Sequence, residues 1–518
     1  MKVEEQARSL QHYETAVSFV SNHRALLAEK EQKIVTLEQQ LNWFKTQLFG
    51  QKSEKRFADS DPRQIALGEL LEGETAEPAK QTVAAHARRK FPQKVEEETT
   101  APLIDPSLPL REITILPPEV RDLPESEYEI ISKKESLRLV QKPAVYEVVK
   151  VIRPVVKLKE ELITACLPDV FERSYADVSF LAGMAIDKFL YHLPLYRIHQ
   201  RLTAQGINLT RYRLTDWMHR VGDLLEPIAK AQKRSVLSAG VSVDETPVKA
   251  GLKERGKLKQ GYFWVVYGEL EEVYFEFHSS RALVALKEVL YEKGIPPVPY
   301  ILTDGYQVYD KYSKQNPSLV QANCWSHTRR EFVKAETLEP ELVTEALNQI
   351  RQLYQIEEEI RSNHLEGNKK LVYRQENAKP IAEKFFEWCE QTLNSKLLLP
   401  TSPLTKALSY ALKRKTQLLV YLSNPEIAID TNHLERQLRP IPMGRKNWLF
   451  CWTEIGATHV ATIQTLLQTC RLQDIDPFTY LVDVLQRIQE HPFSKIDELI
   501  PRNWKQLFAE NPLKAELL

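Results

Sequence analysis

Three acidic residues stand where hard-cation chemistry could be built. In 241-VSVDETPV-248, Val241 and Val243 fall on one face of an expected strand and Pro247 ends regular pairing, which puts Asp244 at the strand's end. In 300-YILTDGY-306, Asp304 follows a second apolar run and precedes Gly305, which permits a sharp exit. Carboxylates at the ends of neighbouring strands are placed as in many α/β sites, where ligands bind outside the strand ends. A third carboxylate from a helix would complete a set of oxygen donors for magnesium. Two such ions about 3.5–4 Å apart can clamp the attacking and leaving oxygens of a phosphodiester. Glu435 is placed for this, because Asp430 or Thr431 can cap its helix, Leu434 and Leu438 give it an apolar face, and Pro440 stops it. Local context leaves plainer roles open: turn capping for the two aspartates, and an exposed ion pair with Arg439 one turn on for Glu435. Among 70 acidic residues many such triples exist, so spacing alone selects none.

Two further groups carry chemistry. Cys324-Trp325-Ser326-His327 supplies half of a zinc motif and lacks the second pair of ligands, so His327 is read as buried or in contact with DNA. Arg329 and Arg330 continue that helix and could reach phosphates or simply solvate its surface. In 444-GRKNWLF-450, Arg445 and Lys446 follow the Glu435 helix and are read as contacts to a phosphate on which charge builds, with Trp448 and Phe450 as core anchors.

The elements that must position these residues change character along the chain. From Tyr13 to Phe49, Val20, Leu27, Ile34, Leu41 and Leu48 recur every seven residues without an intervening proline or glycine. That pattern predicts a helix that self-associates, or one that packs on its own chain. Gly50 can end it, and the stretch to about Pro109 reads as a disordered linker. Short β-branched runs such as VYEVVKVIRPVVKL from about Ile113 to Ile163 predict a small antiparallel β unit. Residues 177–230 return to helical periodicity, and QGINLTRYRLTDW offers a glycine turn followed by Thr210 as N-cap, as in a helix-turn-helix. Over residues 181–234 nine basic side chains face four acidic ones, which suits phosphate contacts by Arg211, Arg213 and Arg220, or an ordinary bundle with a solvated basic face. From Val236 strands alternate with helices, and residues 328 to about 421 read as nearly continuous helix broken near Asn363–Gly367 and at Pro400 and Pro403.

Composition bounds the answer from outside. A chain of 518 residues exceeds the usual single core, and 43% apolar with 27% charged residues is the balance of a soluble globular protein. No apolar run approaches the roughly 18 residues that span a bilayer, and MKVEEQARSLQHYE is no secretory signal, so a cytoplasmic protein without a membrane partner is expected. Five scattered cysteines fit reduced thiols. Lysine plus arginine equals aspartate plus glutamate at 70 each, so any DNA-binding surface is local.

Nearly the whole chain resembles transposases of the insertion sequence 66 family. The resemblance rests on 41-LNWFKTQLFGQKSEKR-56, 142-KPAVYEVVKVIRP-154, 193-LPLYRIHQRL-202, 243-VDETPV-248, 303-TDGYQVY-309, 324-CWSHTRREF-332 and 434-LERQLRPIPMGRKNWLF-450. In that family the first aspartate lies in a DxT strand end, the second in a DGY turn and the glutamate in an ER-x-x-RP helix, which implies Asp244, Asp304 and Glu435 here. It implies a DDE-triad DNA transposase that cuts insertion-sequence ends and joins them to target DNA with magnesium, or manganese in its place. Small accessory proteins and a nucleoid-associated location go with it. An inactive transposase-derived DNA-binding protein and an RNase H-like nuclease are the alternatives.

The expected fold is multidomain α+β. It comprises a leucine-zipper-like helix (1–50) that makes a homo-oligomer, the linker (51–109) and the small β unit (110–172). Helical, helix-turn-helix-like DNA binding (173–234) follows, then an RNase H-like α/β catalytic core (235–450) with a helical insertion at about 333–428, and a C-terminal helical segment (451–518). Arg439 joins the expected DNA contacts. Family members carry paired cysteines for zinc in the β unit, whereas residues 106–172 here hold only Cys166, so no structural zinc is expected.

Overall fold

The computed structural model describes Lys30, residues 103–104 and, with short breaks, residues 110–517. Apart from Lys30, the heptad stretch over 13–49 lies outside the described residues, as do most of the linker and Cys166. Two units are distinguished: a smaller one holding Leu302–Gln307 and Gln321–Asn432, and a larger one holding Ala66–Ile301, Val308–Val320 and His433–Leu518.

In the larger unit the β-branched runs form β2 (Leu110–Thr114), β3 (Glu129–Lys142), β4 (Val145–Leu158) and β5 (Glu161–Thr164), after a two-residue β1 (Leu103–Ile104). Val148 and Val156 on one face of β4 and Val149 and Val151 on the other are all buried, so both faces of this strand are covered. The β3–β4 and β4–β5 pairs are antiparallel as expected, but β2 runs parallel to β4, which corrects the all-antiparallel reading. Alternation fixes which face of a strand is buried and says nothing of its direction.

Three helices follow: α1 (Val178–Phe189), α2 (Leu195–Ala204) and α3 (Arg211–Val236). Asp177 caps α1 through Ser179 N at 2.9 Å, and Thr210 caps α3 through Arg213 N at 3.4 Å. Gly206, at φ +82°, makes the turn before a short β6 (Ile207–Asn208) that pairs with β1. Phe180 and Trp217 meet edge to face at 5.6 Å within the core these helices share. Burying rings of this size contributes roughly 1.5–3 kcal/mol each.

The remaining sheet contains β7 (Val241–Glu254), β8 (Lys257–Gly268), β9 (Glu272–His278), β10 (Tyr300–Thr303) and β11 (Val320–Asn323), ordered β11-β10-β7-β8-β9. The long pairs β7–β8 and β8–β9 are antiparallel. Between these strands lie α4 (Leu283–Val289) and α5 (Gln307–Gln315). Edge strand β9 is covered by a later helix of the same unit, Glu454–Leu472. Its Thr465 and Thr469 hydroxyls accept from Phe275 N (2.9 Å) and Val273 N (3.2 Å), which removes donors an open edge would present.

The smaller unit is mainly helical: α6 (Trp325–Val333), α7 (Pro340–Ser362), α8 (Gly367–Tyr373), α9 (Lys379–Asn394), α10 (Pro403–Lys413) and α11 (Lys415–Leu419). Positive φ at His364 and Gly367 marks the expected first break, and Pro403 opens α10 after the second. Trp325 packs against Phe385 (5.4 Å) and Phe386 (5.8 Å) and donates its indole N–H to Leu418 O. Buried Arg374 is satisfied by a two-pronged pair with Glu357 and by the carbonyls of Tyr421, Asn424 and Ile427.

Candidate active site

Asp244 lies inside β7, not at its end. The ladder continues from Asp244 opposite Val265, through Pro247 opposite Tyr262, toward Glu254. Proline removes only the N–H donor, and its carbonyl is used: Arg445 Nη1 donates to Pro247 O at 2.6 Å. Alternation places Ser242 and Asp244 on the face opposite the buried Val241 and Val243. The next residue, Glu245, has only 3% of its side chain exposed and is compensated by Arg281 and by the Tyr309 hydroxyl at 2.7 Å.

Glu435 sits in α12 (Asn432–Leu438), followed by α13 (Pro440–Trp448) with proline in its first turn. Asp430 Oδ1 accepts from Asn432 N at 3.0 Å, the cap anticipated from sequence. Glu435 is 6% exposed, which separates it from a solvent-exposed pair with Arg439. Within the larger unit the chain from His433 onward runs beside β7 and is tied to it repeatedly. Ser242 Oγ and His433 Nε2 are 2.9 Å apart, Arg445 holds Pro247 O, Cys451 N donates to Lys249 O at 2.9 Å, and Ala250 and Cys451 form a parallel bridge. Asp244 and Glu435 each lie two residues beyond the Ser242–His433 contact. His433 is held down to about 4 by burial and by Arg436, so at neutral pH its uncharged ring meets both Ser242 and the edge of Tyr267.

Asp304 belongs to the smaller unit and leads a tight turn. Its Oδ1 accepts from Tyr306 N at 2.8 Å, and Gly305 stands at φ +88°. One oxygen of Asp304 thus has the turn-capping role, as local context allows. The helical insertion grips this turn: Tyr410 Oη donates to Asp304 O at 2.6 Å and Arg414 Nη2 donates to Gly305 O at 2.7 Å. Arg414 lies over the Tyr410 ring at 3.8 Å and fills the space a Cβ on Gly305 would take.

The Cys324–His327 pair divides its labour within the same unit. Buried Cys324 Sγ accepts from both Thr431 N and Thr431 Oγ1 at 3.3 Å. His327 is lowered to about 3 by burial, Arg330 and Lys334, so its ring is neutral at pH 7. Among the expected DNA contacts, Arg220 lies over Phe171 (4.1 Å), Arg213 over Tyr175 (5.3 Å) and Arg211 over Tyr196 (5.6 Å). Arg329, Arg330 and Arg439 are half-buried, and Lys446 is exposed. Sequence reasoning missed Ser242, His433, Tyr410 and Arg414, whose partners are remote in the chain.

Among the described residues no three metal-ligating side chains already stand together, and no helix is long and apolar enough to cross a membrane. The fit to a divalent cation is therefore one of donor chemistry: two aspartates and a glutamate are hard oxygen donors of the kind magnesium takes.

Three family models match the chain. Residues 173–459 match the Transposase IS66 family, 465–502 the IS66 C-terminal element, and 36–113 the Transposase C of IS166 homeodomain, a match that crosses most of the stretch read as linker. The chain belongs to the IS66 family of transposases. Membership carries a transposase role, DNA as partner and, for the class, use of a divalent metal. Three relatives from Sinorhizobium fredii are uncharacterized proteins. The first, y4hP, is 26% identical over 93% of this chain and 91% of its own; y4qI is 29% identical over 76% and 75%. The third, y4jD, is 29% identical over 72% and 75%.

Proposed function

We propose that the chain is a DDE transposase in which Asp244, Asp304 and Glu435 hold catalytic magnesium, cutting the ends of an insertion sequence and joining them to target DNA. The observation that carries this reading is the pinning of the Glu435 segment along β7 by Ser242–His433 and Arg445–Pro247, which brackets Asp244 and Glu435 inside one unit. An RNase H-like core over 235–450, with a helical insertion at about 333–428, is supported by the order β11-β10-β7-β8-β9 with three long antiparallel strands leading.

Magnesium, or manganese in its place, supplies activation of the attacking oxygen and neutralisation of the leaving one. The chain's own contribution is placement. Neutral His433 and Ser242 register the helix on the strand, and Tyr410 with Arg414 hold the Asp304 turn. Arg211, Arg213, Arg220, His327, Arg329, Arg330, Arg439, Arg445 and Lys446 are the proposed DNA contacts. Self-association through the N-terminal helix, accessory proteins of the element and a nucleoid location complete the proposal.

The deciding assay incubates the full chain with candidate element ends and magnesium, reading nicked ends and joined products separately. Nicking with joining is the expected outcome. Nicking without joining favours a nuclease, and binding without either favours an inactive DNA-binding relative.

A further inference from the structure

The larger unit brings together two segments with exposed aromatic, aliphatic and basic side chains that the carboxylates leave unexplained. After α13 the chain passes through Leu449, a non-glycine residue at φ +65°, and Phe450 then meets Trp452 edge to face at 5.0 Å. Trp452 is 69% exposed and Leu449 64%. The Ala250–Cys451 bridge and the Gly251 N to Cys451 O hydrogen bond (3.3 Å) bring the far half of the β7–β8 hairpin alongside, where Leu252 is 59% exposed. Exposed Lys249 and Lys253 lie on that hairpin and exposed Lys446 on α13. Neighbouring Lys257 and Lys259 are balanced by Glu254 (3.3 Å) and Glu454 (2.9 Å).

Single exposed hydrophobes need no explanation, but an indole grouped with aliphatic side chains marks an interaction site. The cores of protein interfaces are depleted in lysine. Surfaces for unpaired nucleic acid combine the two features seen here, a ring on which a base stacks and cations that follow the phosphates. We infer that these segments bind a DNA strand with unpaired bases, Trp452 stacking on a base while Lys253 and Lys446 contact the backbone. The inference rests on the transposase reading for the presence of such DNA, and its test does not require cleavage.

Anisotropy of a labelled oligothymidine and of a duplex of equal length, measured on the full chain in chelator, tests it. Trp452→Ala should weaken oligothymidine binding about tenfold, within the range of one base-stacking contact, and leave the duplex nearly unchanged. Because Trp452 is exposed, the fold is not at stake, and Trp452→Phe should keep most of the affinity. Lys253→Gln with Lys446→Gln should lower the salt slope for oligothymidine by about 1.4, two phosphate contacts' worth. Unchanged oligothymidine binding by Trp452→Ala overturns the inference. So does a concentration-dependent mass in wild type that Trp452→Ala abolishes while DNA binding stays intact, which would assign the segments to a second copy. A chain that binds oligothymidine through Trp452 yet never nicks DNA ends sinks the catalytic reading alone.

Discussion

Tyr410→Phe removes one oxygen and asks whether the helical insertion positions Asp304. The lost atom donates to Asp304 O at 2.6 Å, and the carbonyl it leaves behind is part-buried. Stranding such an acceptor costs about 1–3 kcal/mol. Carried wholly into the transition state, that is a loss of about 5- to 150-fold in end cleavage. Arg414→Ala should do at least as much, because it removes a charged donor to Gly305 O and its contact over the Tyr410 ring. The two side chains touch, so the double variant should fall short of the sum. The assay is single-turnover nicking across a magnesium series, with thermal unfolding alongside. A positioning role raises the magnesium needed for half-maximal rate, which a general loss of stability does not do. Wild-type magnesium dependence in Tyr410→Phe, at whatever melting temperature, would refute the reasoning.

Gly305→Ala, at φ +88° and against Arg414, should destabilise the chain by roughly 1–2 kcal/mol or more in denaturant titration, whereas a freely adjustable loop would absorb it. His327 gives a pH signature. Its folded-state value of about 3 lies below the ordinary histidine value, so the folded state binds fewer protons and its stability falls as the medium is acidified below about pH 6.5. Between about pH 7 and 4.5 this amounts to about 2–3 kcal/mol, and His327→Gln should lose correspondingly less over the same interval; equal losses would contradict the assignment. Metal analysis should find no stoichiometric zinc bound by residues 106–172, and finding it would overturn the reading of the single Cys166.

Much of the framework was legible because local rules and tertiary packing agree. Thr210 and Asp430 cap the helices their positions indicate, and the helical block breaks where His364 and Gly367 take positive φ. Three features were not. Pro247 in the sequence predicts the end of β7, yet a missing donor does not prevent a carbonyl from being used. The parallel pairing of β2 with β4 leaves no trace in alternation, which is indifferent to strand direction. Glu435 is only 6% exposed, where its i, i+4 spacing to Arg439 suggests a solvent-exposed position, because charge spacing along a helix carries no information about what covers it. The contacts that position the candidate site join residues 191, 106 and 109 apart in sequence, beyond the reach of periodicity or capping rules.

The central claim is that Asp244, Asp304 and Glu435 act together. Its most direct test compares wild type with Asp244→Asn, Asp304→Asn and Glu435→Gln, each assayed on the same element-end DNA for binding in chelator and nicking in magnesium. Near-native binding with nicking abolished in all three is the predicted result. A variant that still nicks at the wild-type rate would remove its residue from the triad and contradict the account.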